Sequence, residues 1–257
     1  MVKCFIVSIV TVLGIAFAGT SFGYEAKDVK NGATIKGIVK FNGSVPVEGK
    51  AAAENDLKPC EKAQRIGAYL IKDSKVKNAV VFIDNPKQGK SIPKNTSVDM
   101  VVTKCRMDPL VSIGFVGGKF LFRNEDDILH TIQLKLWLEY QKKVSSRPVV
   151  DGATIYNLAL PNKGKQIEKP IKNFHRYQDD TGVIRITSNT DLSMRGYVFV
   201  FDHPYAAVTD ENGVFAIDNL PPGEYTLTVW HEGFGMQKKT VKVAAGETGN
   251  IEIVYEK

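Results

Sequence analysis

The sequence is poor in the residue types that most often build reactive sites. Its 257 residues include three cysteines, four histidines and two tryptophans. So few cysteines exclude a small fold held together by many disulfides, and His175, His203 and His231 lack the close spacing of a metal-binding motif. Ser188 has no histidine and acid arranged as the partners of a nucleophile, and no glycine-rich phosphate loop leads into a helix. We therefore predict no catalytic residues and no enzymatic activity.

Long apolar runs are also missing, since none reaches the roughly 20 residues that a membrane-spanning helix needs. The run at 5–18 follows the single charge of Lys3 and ends in Ala-Phe-Ala, which is typical of a secretory signal peptide. We expect a signal peptide within residues 1–23, cleaved after Ala18 or Gly23, with an uncleaved N-terminal anchor as the alternative. The predicted location is periplasmic or extracellular.

The remaining composition is that of a globular protein rich in turns. Hydrophobic residues make up 43% and charged residues 24% of the chain, which excludes a mainly disordered chain. Short apolar runs recur throughout and are bounded by Gly, Pro, Asn and Asp. This pattern predicts an antiparallel all-β sandwich or barrel. Clear examples are 34–41, 78–83, 97–102, 119–122, 182–187 and 197–201.

Two cysteines remain if the signal peptide is removed. Cys4 would leave with it, so that the mature chain keeps Cys60 and Cys105. Two thiols in an oxidising compartment usually pair, and we predict a Cys60–Cys105 disulfide. The alternative, a cysteine metal ligand, lacks a nearby His or second Cys at ligand spacing.

The C-terminal part contains clear turn motifs between predicted strands. Residues 210–213, Asp-Glu-Asn-Gly, predict a hairpin turn, and Leu-Pro-Pro-Gly at 220–223 predicts a type II turn. The stretch 207–217 followed by 220–227 resembles the carboxypeptidase regulatory-like domain. That resemblance implies a small prealbumin-like β-sandwich over 196–257, which supports, spaces or binds and contributes no catalytic residues.

The middle of the chain resembles a second family. Residues 124–130 resemble the Asn-x-Asp-x-x-x-His segment that supplies the first copper ligand in cupredoxins of the plastocyanin and amicyanin type. Residues 188–194 keep the spacing of the Cys-x-x-His-x-x-Met loop of amicyanin-like proteins. The resemblance implies a cupredoxin-like Greek-key β-sandwich over 24–195.

The expected copper ligands are incomplete. His130 and Met194 match ligand positions, but Ser188 stands in place of the cysteine and Asp191 in place of the second histidine. A blue-copper centre needs a thiolate and two imidazoles, with a weak axial thioether. We therefore predict vestigial copper positions and no cofactor. The alternative is a copper-binding electron-transfer or copper-handling protein with an altered site.

Both halves together resemble one larger group of secreted proteins. Its Cys-x-x-x-Pro stretch matches 105–109, and its Met-Arg-Gly-Tyr and His-Pro-Tyr segments match 194–197 and 203–205. The group is often labelled plastocyanin-like or methylamine-utilisation-like. Its label implies electron transfer, which the residues at Ser188 and Asp191 argue against.

Positive charge is concentrated in one segment. The net charge is +6, and residues 141–176 contain eight basic residues against two acidic ones. Such a surface raises encounter rates with an acidic partner. We predict an exported binding or assembly protein whose partner is a protein, such as an extracellular or periplasmic electron-transfer component, or a surface polysaccharide. The basic residues are Lys142, Lys143, Arg147, Lys163, Lys165, Lys169, Lys172 and Arg176.

Other interpretations of this segment remain open. Anionic lipid is a further candidate partner, and the lysines would also keep a loop soluble. The chain lacks the interleaved aromatics of nucleic-acid binding, so we predict no nucleic-acid partner. Carbohydrate binding through exposed aromatics such as Tyr205 is a second alternative function.

Overall fold

The computed structural model describes residues 23–44, 60, 69–136, 153–174, 183–191 and 194–256. The described chain forms strands and no helix, which confirms the all-β prediction and leaves no helix in these ranges that could span a membrane. The strands are β1 (Glu25–Ala26), β2 (Ala33–Asn42), β3 (Ile71–Lys72), β4 (Lys75–Val76), β5 (Val80–Ile83), β6 (Gln88–Gly89), β7 (Ser97–Thr103), β8 (Arg106–Asp108), β9 (Val111–Phe115), β10 (Lys119–Asn124), β11 (His130–Leu136), β12 (Thr154–Leu160), β13 (Gln166–Pro170), β14 (Val183–Thr187), β15 (Arg195–Phe201), β16 (Ala206–Val208), β17 (Val214–Leu220), β18 (Gly223–His231), β19 (Gly235–Val243) and β20 (Thr248–Glu256).

Strands β7 to β15 form one sandwich, which we call the central sandwich. One sheet has the order β13-β10-β7-β8 and the other β12-β11-β14-β15-β9. Alternate side chains along each strand point to the same face of a sheet. Phe120 and Phe122 from the first sheet therefore meet Ile132 and Leu134 from the second in one buried core.

The remaining long strands form a second sandwich, which we call the terminal sandwich. One sheet has the order β16-β5-β18-β19, and the other is built around β2, which pairs with β17, β4 and β20. Its core contains Ile35 and Val39 from β2, Val81 from β5, Leu227 from β18 and Ile253 from β20. The short pair β1 and β6 lies outside both sandwiches.

The strand pairing departs from the predicted division into residues 24–195 and 196–257. The N-terminal strand β2 runs parallel to β20 and antiparallel to β17, and β5 pairs with β16 and β18. Strand β15, expected to open the second domain, pairs with β14 and β9 in the central sandwich. The reason is burial, because the apolar face of β2 shares one core with β5 and with strands from the end of the chain, among them β17, β18 and β20. The terminal sandwich is thus assembled from both ends of the chain.

A third core joins the two sandwiches. Phe82 of β5 and Trp230 of β18 pack against Tyr197 and Phe199 of β15, and the rings of Phe199 and Trp230 lie 4.9 Å apart. Strands β5 and β15 are therefore apolar on both faces, each face contributing to a different core. Double burial explains why both strands read as continuous apolar runs rather than alternating ones.

The predicted hairpin turn at 210–213 joins two sheets instead. Strand β16 pairs with β5 and β17 pairs with β2, so the flanking strands do not pair with each other. Only Gly213 of the two central residues takes a positive φ, 71°, whereas the Asn-Gly hairpin turn needs two. The carboxylate of Asp210 accepts the N–H groups of Asn212 and Val214 and fixes the turn.

His231 makes the stability of the terminal sandwich dependent on pH. The residue is buried, its Nδ1 accepts the N–H of Gly233 at 3.2 Å, and burial lowers its pKa from 6.5 to about 4. Because the folded pKa lies below the unfolded one, the fold favours the neutral imidazole. Its contribution is complete above pH 6.5 and is lost as the pH falls towards 4.

We predict that His231→Asn flattens this dependence. Between pH 7 and 4 the free energy of unfolding of the natural chain should fall by about 3 kcal/mol more than that of the variant. Urea unfolding at a series of pH values measures both. Equal slopes for the two proteins would show that His231 titrates normally in the folded state.

Candidate functional site

The structure places the four predicted copper positions at one end of the central sandwich. Strands β11, β14 and β15 are neighbours and antiparallel, with Gln133 opposite Thr187 and Thr187 opposite Arg195. The start of β11, the end of β14 and the start of β15 therefore meet. The residues brought together there are His130, Ser188, Asp191 and Met194.

Asp126 is the anchor of this end of the sandwich. Its carboxylate accepts the N–H of Lys104 at 2.7 Å and of Cys105 at 2.8 Å, and lies 3.0 Å from Nε2 of the buried His130. Lys104 and Cys105 form the turn between β7 and β8 with φ values of 52° and 58°. Non-glycine residues seldom adopt this region, so the carboxylate stabilises a turn that is unfavourable by itself.

The charge of Asp126 is fixed by the same contacts. Burial raises the pKa of its carboxyl group, but the N–H groups of Cys105 and Lys104 and the imidazole of His130 outweigh burial and lower the pKa below its ordinary value. The group is therefore a carboxylate at neutral pH.

Ser188 acts as a backbone cap. Its hydroxyl accepts the N–H groups of Thr190 and Asp191, both at 3.1 Å. The hydroxyl of Thr131 accepts the N–H groups of Asn189 and Thr190 at 2.9 and 3.2 Å. The loop that would hold copper ligands in an amicyanin-like protein is held here by hydroxyl groups.

The predicted disulfide is confirmed and lies within this end of the sandwich. Cys60 and Cys105 are bonded, with their Cα atoms 5.7 Å apart and a separation of 45 positions in sequence. Both sulfur atoms lie within 4.8 Å of a carboxylate oxygen of Asp191, and the Cys105 sulfur lies within 4.8 Å of ligand atoms of Asp126 and His130. Sequence reasoning predicted the bond but not its place, since no spacing links Cys60 to the copper positions.

These residues do not fit a blue-copper centre. The donor set contains one imidazole, that of His130, and its two sulfur atoms are bonded to each other rather than present as thiolate. Met194 is buried in the apolar core of the central sandwich. Within the described ranges, the two groups of side chains that could hold a metal ion share Cys105, whose sulfur is oxidised.

The described lysines of the basic segment lie on and beside one edge strand, β13: Lys169 belongs to it, Lys163 and Lys165 precede it, and Lys172 follows it. Near one end, the carbonyl of Lys165 accepts the N–H of Asn124. At the other, Lys172 follows Ile171, whose carbonyl accepts the N–H of Gly117. Lys163, Lys165 and Lys172 are exposed, while Lys169 reaches inward to 5.8 Å from the ring of Tyr156. Outside the described residues lie Lys142, Lys143, Arg147, Arg176 and residues 1–22 of the expected signal peptide.

The prediction that Tyr205 is an exposed aromatic is wrong. Its ring is fully buried in the core of the terminal sandwich. Its hydroxyl donates to the carbonyl of Asn219 at 3.0 Å and accepts the N–H of Lys90 at 2.8 Å. A buried phenol whose hydroxyl is satisfied internally has no face for a sugar ring.

The comparisons with known families agree with the C-terminal resemblance. Residues 186–256 match the family model of the carboxypeptidase regulatory-like domain. The matched segment begins in β14 and so includes strands of the central sandwich, whereas the terminal sandwich also takes β2 and β5 from the N-terminal part. No curated protein matches the chain.

Among solved structures, the chain is similar to several cupredoxins. Amicyanin from Paracoccus versutus is 13% identical, covering 47% of this chain and 97% of its own, with a TM-score of 0.29. The purple cupredoxin from Nitrosopumilus maritimus is 17% identical, covering 40% and 98%, with a TM-score of 0.27. Auracyanin from Roseiflexus castenholzii is 12% identical, covering 41% and 97%, with a TM-score of 0.29.

We predict that Asp126→Ala destabilises the protein by about 2–4 kcal/mol, because it leaves the N–H groups of the β7–β8 turn without their acceptor. The exposed neighbour Asp127→Ala is the matched control and should change the free energy of unfolding by less than about 0.5 kcal/mol. Urea unfolding measures both. Similar small losses in the two variants would contradict the anchoring role.

Proposed function

We propose that this chain is an exported, non-enzymatic binding protein on a cupredoxin-like scaffold that has lost its copper site. The observation that carries the proposal is the Cys60–Cys105 disulfide beside His130 and Asp191. A covalent bond crosslinks the end of the sandwich at which a cupredoxin holds its metal. The pattern of residues 1–23 supports a periplasmic or extracellular location.

The chemistry of the donor atoms argues against electron transfer. Fast one-electron exchange at a blue-copper centre depends on a thiolate bonded to the metal. Here Cys105 is oxidised, Ser188 uses its hydroxyl to cap the backbone, and His130 contacts the carboxylate of Asp126. Cys105, Ser188 and the Nε2 side of His130 thus already take part in contacts that hold the fold.

Docking on an acidic protein partner through the basic segment 141–176 is the second part of the proposal. Lys163 and Lys165 are exposed just before β13 and Lys172 is exposed just after it, and the one acid on that strand, Glu168, is 2.9 Å from Lys119. Positive charge at both ends of an edge strand suits an extended acidic surface.

Metal analysis tests the loss of the copper site. Protein purified in the presence of cupric ions and then dialysed should retain no stoichiometric copper and show no visible absorption band. His130→Ala should give the same result as the natural chain. Stoichiometric copper that is lost in His130→Ala would instead support the alternative of an altered copper-handling site.

Charge reversal tests the docking surface. The variant with Lys163→Glu, Lys165→Glu and Lys172→Glu should bind immobilised polyglutamate at least tenfold more weakly than the natural chain, with a smaller dependence on salt. The control reverses the same number of charges at the exposed Lys94, Lys239 and Lys242. Equal losses in both variants would show that only net charge matters. Retention on a polyuronate but not on polyglutamate would favour a polysaccharide partner.

A further inference from the structure

A groove lies between the two sandwiches, beside β8, which is at the opposite edge of its sheet from β13 and the lysines around it. One wall is the turn region around β4 of the terminal sandwich, with Leu70 and Lys77, and the other is the β7–β8 hairpin of the central sandwich and its exit at Leu110. The groove encloses about 290 Å³. Junctions between packed units are a frequent location of small-ligand sites.

The groove has an excess of positive charge. Lys77, Lys104 and Arg106 line it together with a single acid, Asp108. Among the residues that the structure describes, these three cations form no ion pair. Three cations around one concave surface repel one another, and that repulsion is relieved when an anion binds between them.

Arg106 supplies a second, independent indication of a ligand. Its Nε is buried and has no hydrogen-bond acceptor in the part of the chain that the structure describes. Leaving a buried donor unsatisfied is unfavourable, whereas a carboxylate, sulfate or phosphate group can accept two parallel hydrogen bonds from a guanidinium.

The backbone of the groove wall that carries Arg106 is already rigid before any ligand binds. The turn just before it, at Lys104 and Cys105, is held by the carboxylate of Asp126 and by the disulfide to Cys60. Binding therefore requires little ordering of the backbone, which favours affinity for a small ligand.

We propose that this groove binds a small ligand bearing a carboxylate, sulfate or phosphate group, with Arg106 contacting the oxyanion and Lys77 and Lys104 adding positive charge. Asp108, at the same groove, is placed to accept from a hydroxyl or ammonium group of the ligand. An acidic sugar or a hydroxy acid combines these features. This site is separate from the docking surface on β13.

Calorimetric titration of the full mature chain tests the proposal with three probes of defined chemistry. Glucuronate carries a carboxylate and hydroxyls, inorganic sulfate carries the oxyanion alone, and glucose carries hydroxyls alone. We expect saturable binding of one equivalent of glucuronate, weaker binding of sulfate and none of glucose. Absence of saturable binding of both anions would overturn the proposal.

The variant Arg106→Gln should lower the affinity for glucuronate at least tenfold. Arg123→Gln is the matched control, because Arg123 also has a buried Nε but lies on β10, close to Glu125 and outside the groove. If Arg106→Gln fails to fold, Lys77→Ala and Lys104→Ala should each weaken binding several-fold. Unchanged affinity in the groove variants would refute the site.

The same titration separates this site from the proposed docking function. The triple variant at Lys163, Lys165 and Lys172 should keep the affinity of the natural chain for glucuronate. Loss of polyglutamate binding with intact glucuronate binding would support two separate sites, and loss of both in this variant would overturn the assignment to the groove.

Discussion

The pairing of β2 with strands from the other end of the chain is the constraint on which the architecture depends. β2 lies between β20 on one side and β17 and β4 on the other, and Lys40 meets Glu252 across 212 residues of sequence. This closure leaves the contiguous strands β7 to β15 as an insertion within the terminal sandwich. It also brings β5 and β18 against β15, so the shared core around Trp230 and Phe199 follows from the same pairing.

Local sequence patterns predicted those features of the fold that depend on residues close together in sequence, namely the strands. The apolar runs predicted the strands because alternation and turn residues are defined over a few positions. The cysteine count, taken with the expected signal peptide, predicted the disulfide. The partner of β2 could not be predicted, since any apolar face of that length fits several sheets and only tertiary packing selects one. The exposure of Tyr205 was predicted wrongly for a similar reason. Its position at a strand end does not indicate which sheet covers its ring.

At the candidate site, too, local patterns predicted contacts between residues close in sequence but not contacts made by tertiary packing. Ser188, Asp191 and Met194 lie at one end of the central sandwich because the end of β14 and the start of β15 are near in sequence. Cys105 enters that end through the β7–β8 turn, which depends on Asp126 from another loop. Arg106 lines the groove on the outer side of that hairpin. One turn thus connects the disulfide with the groove, and no rule of spacing could have linked them.

A sandwich built from both ends of the chain has a consequence for biosynthesis. Chains emerge from the ribosome N-terminus first, so β2 appears long before β20, and β7 to β15 are complete before the terminal sandwich can close. Until then the apolar face of β2 lacks the cover of β17, β18 and β20 and is more open to aggregation or proteolysis. A stop codon shortly before β20 would remove the strand that pairs with β2 along nine residues, and with it the edge that closes the terminal sandwich.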